Sequence, residues 1–317
     1  MKFILSCLIA VIFIFTFSIT AQEQIKQSTN YCIVIHGGAG SSIDNLPDSL
    51  KNAYRHELSA ALTKGENILK AGGTSLDAVE AAVRYMEDSP LFNAGKGAVL
   101  NEDGVAEMDA AIMNGKDLSC GAVGAVHFTK NPISLARAVM EKTQHILLVG
   151  AGADKFSKET GLEQKSAKYF IVPKSYEDWL KSKSKRGTVG AVALDKSGNL
   201  AAATSTGGLA GKMSGRVGDA PLINCGTYAN NKTCAVSCTG IGEKFIRNTI
   251  AFRVSAQMEY SNKPLKESVD YLLSSVLTAG DGGIIAVDKD GNYVMNYNTQ
   301  NMFRGVANSS GKFETFP

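Results

Sequence analysis

GTVGAVALDKSGNLAAATSTGG, residues 187–208, is the stretch on which the reading of this chain turns. Two apolar runs, Val189 to Leu194 and Leu200 to Ser205, flank a turn at Asp195-Lys196-Ser197-Gly198, which predicts a β-hairpin. Thr188 heads the first strand directly after Gly187, and Thr206 follows the second, trailed by two glycines. A threonine hydroxyl is a poor nucleophile at neutral pH. A threonine that begins a chain is different, because its α-amine titrates near about pH 8 and can take the proton of its own hydroxyl. A cut between Gly187 and Thr188 would make one residue both nucleophile and base.

Upstream of the hairpin, Lys155 to Arg186 is lysine-rich, ends in KSKSKR and shows little apolar periodicity, which predicts an exposed mobile linker (about 155–187) leading into the junction. Downstream, IIAVDKDGNYVMN at 284–296 nearly repeats the hairpin around a second Asp-Lys-x-Gly-Asn turn. Asp288 and Asp290 superficially suggest a calcium loop there, but its further acidic ligands are missing and the turn reading stands. Glu243 to Tyr260 and Pro264 to Thr278, between the hairpins, read as helices. Near the start, Tyr31 to Ile35 reads as a strand entering His36-Gly37-Gly38-Ala39-Gly40, where the glycines predict a tight turn. One amphipathic helix follows with Leu58, Ala61, Leu62, Gly65, Ile68 and Leu69 on a face, stopped by Gly72-Gly73. A second is capped by Thr74, with Val79, Ala82, Val83 and Met86 as its buried stripe. GAVGAVHF at 121–128 reads as a strand and Ser134 to Thr143 as a short helix. Strand pairs followed by helix pairs in each half predict two sheets face to face with helices outside.

The 317 residues suffice for one large or two ordinary domains with a real core. A net charge of +3, with no basic cluster interleaved with aromatics, argues against a nucleic-acid partner. Lys2 precedes an apolar run from Phe3 to Ile19 that ends in small residues at Ala21, the pattern of a signal peptide over 1–21 and of an exported protein with no membrane segment in its mature form. The competing reading is a membrane anchor, since the run approaches the roughly 20 residues that span a bilayer. Beyond Cys7 in the leader stand Cys32, Cys120, Cys225, Cys234 and Cys238. Their odd number argues against a full disulfide framework; a Cys225–Cys234 bridge around a turn at Asn230-Asn231 stays open, with buried core thiols the simpler reading. Four scattered histidines and no C-x-x-C leave no zinc spacing.

Common catalytic signatures are missing: no G-x-S-x-G, no H-E-x-x-H and no phosphate loop. Gly150-Ala151-Gly152 lacks the third glycine of a dinucleotide fingerprint, with Lys155 in its place. What remains is a set of threonines bordering glycine, Thr188 in GTVG, Thr206 in STGG and Thr239 in SCTGIG. Glycine there lets backbone N–H groups face a cavity, as an oxyanion hole requires. The plainer alternative is that threonine is simply a good strand residue. Arg216 and Asp219 in GRVGD add opposite charges between glycines. Arginine grips a carboxylate with two parallel hydrogen bonds and aspartate accepts from an ammonium, so the pair suits the two ends of an amino-acid head group; a surface ion pair is the plain alternative.

Taken together, VIHGGAG at 34–40, SPLFNAGKGAVLNEDG at 89–104, EMDAAIM at 107–113, NPISLARAVMEKT at 131–143, the 187–208 segment, GRVGDAPL at 215–222 and SCTGIGEKFIR at 237–247 resemble the plant-type asparaginases and isoaspartyl peptidases. These are N-terminal nucleophile hydrolases, and the likeness runs over about residues 31–305. It implies an α+β fold, a four-layer αββα sandwich, and autocleavage between Gly187 and Thr188. An α chain of residues 22–187 and a β chain of residues 188–317 would then form one folded domain, paired as a dimer of αβ units. The resemblance implies hydrolysis of β-aspartyl dipeptides and L-asparagine by Thr188, with Thr206 orienting the nucleophile and Thr239 and the Gly240 N–H holding the oxyanion. Arg216 would bind the substrate carboxylate and Asp219 its amine, with Gly242 nearby, and Asn93 would assist maturation. No cofactor is implied for catalysis, but a structural sodium ion is, held by backbone carbonyls of Met86, Glu87, Ser89, Phe92, Ala94 and Lys96. Gly211, Ser214 and Ile241 depart from the commonest pattern and bear on leaving-group preference and potassium dependence. A related glycosylasparaginase is the alternative within the same chemistry, although GRVGDAPL and NPISLAR fit the peptidases better. A secreted binding protein that has lost catalysis is the alternative outside it, opposed by the intact set Thr188, Thr206, Arg216, Asp219 and Thr239.

Overall fold

A computed structural model describes residues 30–40, 42–44, 46–181 and 187–317; the expected leader and residues 182–186 of the expected linker lie outside them. In chain order the first half holds β1 (Cys32–Gly40), α1 (Asp48–Lys70), α2 (Ser75–Asp88), β2 (Met108–Asn114), β3 (Cys120–Val126), α3 (Pro132–Lys142), β4 (Leu147–Val149), α4 (Gly150–Glu159), α5 (Ala167–Phe170) and α6 (Pro173–Leu180). The second half holds β5 (Val189–Leu194), β6 (Leu200–Thr206), β7 (Thr227–Ala229), β8 (Cys234–Gly240), α7 (Gly242–Asn248), α8 (Ile250–Ser261), α9 (Leu265–Tyr271), β9 (Gly282–Asp288), β10 (Tyr293–Tyr297), β11 (Asn301–Asn308) and β12 (Phe313–Phe316).

The predicted hairpin, β5 and β6, sits at the centre of an eight-stranded sheet of order β12-β11-β1-β5-β6-β2-β3-β4. A second sheet, β10-β9-β8-β7, packs against it through β8 and β9. Side-chain alternation explains the layering. On β1, Ile33 and Ile35 enter the core beneath α1, α2 and α3, whereas Cys32 and Val34 enter the core shared with the second sheet, which α8 and α9 cover on its far side. The result is the four-layer αββα sandwich. The hairpin strands are built largely from small residues, with Ala191, Ala193, Ala201, Ala202 and Ala203 all fully buried. Helix α1 closes on β1 and α2 at Gly65, where a Cβ would lie 3.0 Å from the Ala78 carbonyl. Thr74 caps α2 by accepting from the Asp77 N–H at 3.1 Å.

Several expectations need correction. The 155–187 stretch is structured up to Leu180: α4, α5 and α6 occupy it, with Phe170 fully buried and Trp179 packed on the core. Its lysines lie on the outer faces of short helices, which hides the apolar spacing. The glycines after His36 do not turn the chain. β1 runs through to Gly40, with a register shift between His36 and Gly38 that inserts a bulge. The helix expected from Glu243 to Tyr260 is broken at Thr249, which takes φ 45°, and the one from Pro264 ends in a π-turn over Leu272–Val276. The five described cysteines are free thiols, so the open bridge between Cys225 and Cys234 is not formed. No helix among the described residues is long and apolar enough to cross a membrane.

Candidate active site

Register brings the two threonines together. β5 pairs Val189 with Ser205 and Gly190 with Thr204, so Thr188 and Thr206 stand opposite each other at the strand ends, on the face turned to the second sheet. Thr188 Oγ donates to Thr206 Oγ at 3.3 Å. Thr206 Oγ in turn donates to the Gly187 carbonyl at 3.0 Å and accepts from the Gly208 N–H at 2.9 Å. Asn93 supplies a second donor, its Nδ2 lying 2.8 Å from both the Gly187 and Gly208 carbonyls, while its Oδ1 accepts from the Val99 N–H at 2.8 Å. Every polar atom of that amide is engaged, which fixes its orientation. The bond joining Gly187 to Thr188 therefore carries a carbonyl polarised by two donors beside a threonine hydroxyl. The bulge in β1 makes room for it: Gly38 has φ +113°, and a Cβ there would lie 3.0 Å from Gly187 Cα and 3.2 Å from Thr188 N.

The second sheet delivers Thr239 from the end of β8, where its hydroxyl accepts from the Ala39 N–H at 3.1 Å. Gly240 follows with φ +151°, and a side chain there would strike the Asp281 carbonyl. Arg216 and Asp219 lie on the irregular loop after β6, and Gly242 opens α7 against both. A Cβ on Gly242 would stand 2.8 Å from Arg216 Nη2 and 2.9 Å from Asp219 Oδ1, so the absent side chain is what lets the two charges face one space. Arg216 Nε donates to Glu243 Oε1 at 3.0 Å. Its Nη2 is 2.9 Å from the same oxygen but has no aligned hydrogen bond, and Asp219 Oδ2 has no partner either, although both atoms are buried. Burial pushes the Asp219 carboxyl up to about 7. Buried polar atoms are nearly always satisfied, so both open atoms are unusual; Arg216 Nη2 shares the space over Gly242 with Asp219 Oδ1, while the open Oδ2 lies towards Gly226.

Residues that spacing had not singled out hold this loop. Asp109 of the EMDA motif is fully buried; its Oδ2 accepts from the Gly218 N–H at 3.0 Å and its Oδ1 from the Ala125 N–H at 2.9 Å. Glu107 accepts from the Gly215 N–H, and buried Lys212 donates to the Glu107 carbonyl at 2.8 Å. Their only signal was an acidic pair in an otherwise apolar stretch. Glu243, the acidic partner of Arg216, carried none.

A cavity of about 670 Å³ opens beside Gly187, lined by Gly38, Asn93, Tyr54, Asp178, Asn301 and Phe303. Arg216 and Asp219 do not border it, so it lies on the side of the 187–188 bond away from the charged pair. At the expected sodium loop, a Cβ on Gly95 would collide with the Glu87 carbonyl, and one on Gly97 with the Phe92 carbonyl while lying 2.9 Å from that of Pro90. Glycine thus leaves room where carbonyl oxygens crowd together, a donor set that suits a hard cation. The Met86 and Ala94 carbonyls accept from the Ser89 and Gly97 N–H groups at 3.3 and 3.1 Å. Among the described residues no group of three or more His, Cys, Asp or Glu side chains could hold a metal.

A family model described as "Asparaginase" matches residues 29–186 and 180–316. The chain is 44% identical to the isoaspartyl peptidase of Escherichia coli strain K12, covering 86% of this chain and 91% of that protein. It is 43% identical to the isoaspartyl peptidase/L-asparaginase of Rattus norvegicus, covering 90% and 88%, and 43% identical to that of Xenopus laevis, covering 85% and 90%.

Proposed function

The chain belongs to the asparaginase family, and from that membership we propose that it hydrolyses β-aspartyl amides, cleaving isoaspartyl dipeptides and L-asparagine through Thr188. The observation that carries the reading is the threonine beside a polarised Gly187 carbonyl, with an arginine and a carboxyl on the neighbouring loop that each keep one buried atom without a hydrogen bond. L-asparagine and a β-aspartyl peptide share an α-amine, an α-carboxylate and a β-carbonyl, so one clamp serves both and only the leaving group differs.

Maturation comes first. Thr188 Oγ adds to the Gly187 carbonyl carbon, a C–O bond forms, the C–N bond breaks and the hydroxyl proton passes to the departing nitrogen, which becomes a free amine; water then splits the ester, restores the Thr188 hydroxyl and leaves Gly187 with a carboxylate. Asn93 and Thr206 stabilise the oxygen that becomes negative. In the mature enzyme the Thr188 amine takes the hydroxyl proton as Oγ attacks the substrate β-carbonyl. Thr239, whose hydroxyl already accepts from Ala39, has its own hydrogen to give the oxyanion, and the Gly240 N–H is the second donor. The proton passes to the departing amine or ammonia, and water releases aspartate from Oγ. Arg216 and Asp219, with Gly242 between them, hold the head group throughout.

Three further readings belong to this proposal. Carbonyls of the 86–96 loop hold a sodium ion, which would stiffen the segment carrying Asn93. Two αβ units pair as a dimer, supported by the apolar edge at β4, where Ile146, Leu147 and Val149 are exposed. The leader over 1–21 directs export. Denaturing mass spectrometry together with rates on β-Asp-Leu, L-asparagine and a glycosylated asparagine tests the core of it. An intact chain that is active, or a preference for the glycosylated substrate, would overturn it.

A further inference from the structure

The bulged strand β1 carries a group that the reaction above leaves unused. His36 is fully buried between the sheets, its Nδ1 2.9 Å from the Thr188 carbonyl and its Nε2 2.9 Å from Ser237 Oγ. A carbonyl only accepts, so Nδ1 bears the hydrogen and Nε2 accepts from Ser237. The contacts continue from Ser237 Oγ to Thr204 Oγ at 2.8 Å, from Thr204 to Thr227 Oγ at 2.6 Å, and from Thr227 to the Ala220 carbonyl at 2.9 Å. His36, Thr204, Thr227 and Ser237 are all fully buried. The chain thus starts at the backbone of Thr188, passes through β1, β8, β6 and β7, and ends at the backbone beside Asp219. Gly190 leaves the space it crosses, since a side chain there would strike both Ser237 Oγ and the His36 ring.

Counting hydrogens shows that its parts are not independent. Both ends are carbonyl oxygens, so neutral His36 and three hydroxyls bring one hydrogen each to one contact more than they can fill. Burial holds His36 down at about 3, so protonation does not supply the missing one. One of the five contacts is always unfilled, and where it sits depends on how every hydroxyl is turned.

We propose that His36, Ser237, Thr204 and Thr227 form a positioning relay that ties the backbone of the head-group loop at Ala220 to the carbonyl of Thr188, so that substrate clamping and nucleophile alignment are set together. The relay rests on the reading of Thr188 as the nucleophile.

Thr204→Val is the deciding variant. It is isosteric, and it removes two contacts with one hydrogen, so each remaining contact has its own hydrogen and the cut relay is fully satisfied. Melting temperature, the fraction matured and steady-state kinetics on β-Asp-Leu are measured for wild type, Thr204→Val and Thr204→Ser. The relay requires kcat of the matured Thr204→Val protein to fall about ten-fold with KM within about two-fold, its melting temperature to stay within about 2 °C, and Thr204→Ser to recover most of the loss. A Thr204→Val kcat within about two-fold of wild type, a loss that Thr204→Ser does not recover, or one that tracks thermal stability overturns it. If Thr204→Val does not fold, Thr227→Val, which also leaves three hydrogens for three contacts but takes the hydroxyl donor from the Ala220 carbonyl, decides by its kcat and by rescue in Thr227→Ser, and failure of both to fold reduces the chain to a structural role and overturns the relay. Wild type inactive on β-Asp-Leu would refute the Thr188 reading and take the relay with it, whereas active wild type with an unaffected variant sinks the relay alone.

Discussion

Replacing Asp219 by asparagine should make the protein more stable and a worse enzyme at once. The carboxyl is buried and rises from 3.8 to about 7 because ionising it there is costly, with Arg216 offsetting only part of that cost. At roughly 1.4 kcal/mol per pKa unit, carrying the ionised group above pH 7 costs the folded state up to about 4 kcal/mol. The sign follows from linkage: a raised pKa gives a contribution that is present in full below the unfolded value and lost as pH rises through about 7. Asp219→Asn should therefore raise the melting temperature by several degrees at pH 8, and the advantage should vanish near pH 4. The substrate ammonium would lose a charge-assisted hydrogen bond of about 1.5–3 kcal/mol, a 10- to 150-fold fall in kcat/KM carried mainly by KM. Thermal melts at the two pH values and kinetics on β-Asp-Leu check both arms. Equal stability at pH 8, or an unchanged KM, would refute the view that Asp219 is kept charged at the expense of the fold in order to meet an amine.

Thr188→Ala should remain a single chain with no hydrolysis above background, and a two-fragment mass spectrum would rule out Thr188 as the attacking group. Glu243→Gln frees the Arg216 guanidinium from a half-exposed competitor, so KM for β-aspartyl substrates should drop about two- to three-fold while stability moves by less than about 1 kcal/mol; a rise in KM would show that Glu243 aligns Arg216 rather than competing for it. His127 bonds Asp154, which lifts its pKa above the usual histidine value, with Glu107 adding to the rise. The stability it confers is complete below the unfolded histidine value and disappears as pH rises through the folded one, so wild type and His127→Ala should melt further apart at pH 5.5 than at pH 9. Equal separation at both would contradict a charged tether.

The hairpin was legible because its turn chemistry is local. Asp195 Oδ1 accepts from the Ser197 and Asn199 N–H groups, and Asp288 Oδ1 does the same for Asp290 and Asn292, so the repeated Asp-Lys-x-Gly-Asn string encodes one turn twice. The helix stripes of α1 and α2 were equally plain. What escaped depends on distant partners. Lys212 and Glu107 are buried together at a sequence distance of 105 residues, and nothing near either one announces it. The glycines after His36 looked like a turn because glycine permits one, yet here they let β1 lie against Gly187 without a clash. The helices of the 155–180 stretch were hidden by surface lysines, as α6 buries little more than Ser175 and Asp178. Thr188, Thr206 and Thr239 could be grouped as candidates because each borders glycine, and the family resemblance is what gave them roles. That Thr204 and Ser237 join His36 beneath them could not, because alternate strand positions are ordinary places for a hydroxyl.

The small side chains of β5 and β6 have a consequence for how this molecule can change. Ala191, Ala193, Ala201, Ala202 and Ala203 sit fully enclosed at the middle of the stack, where they have almost no volume to lose. Ordinary cores erode by trimming, Leu to Val or Val to Ala, each step opening a void that neighbours can partly close. At these positions nearly every substitution adds atoms instead, and added methylenes push the sheet off its helices at Ala191, Ala193, Ala201 and Ala203, or off the second sheet at Ala202, at about 1–3 kcal/mol each. The strands between Thr188 and Thr206 therefore have no graded path of decay; variation there is accepted whole or rejected, while the larger side chains packed around them remain free to drift.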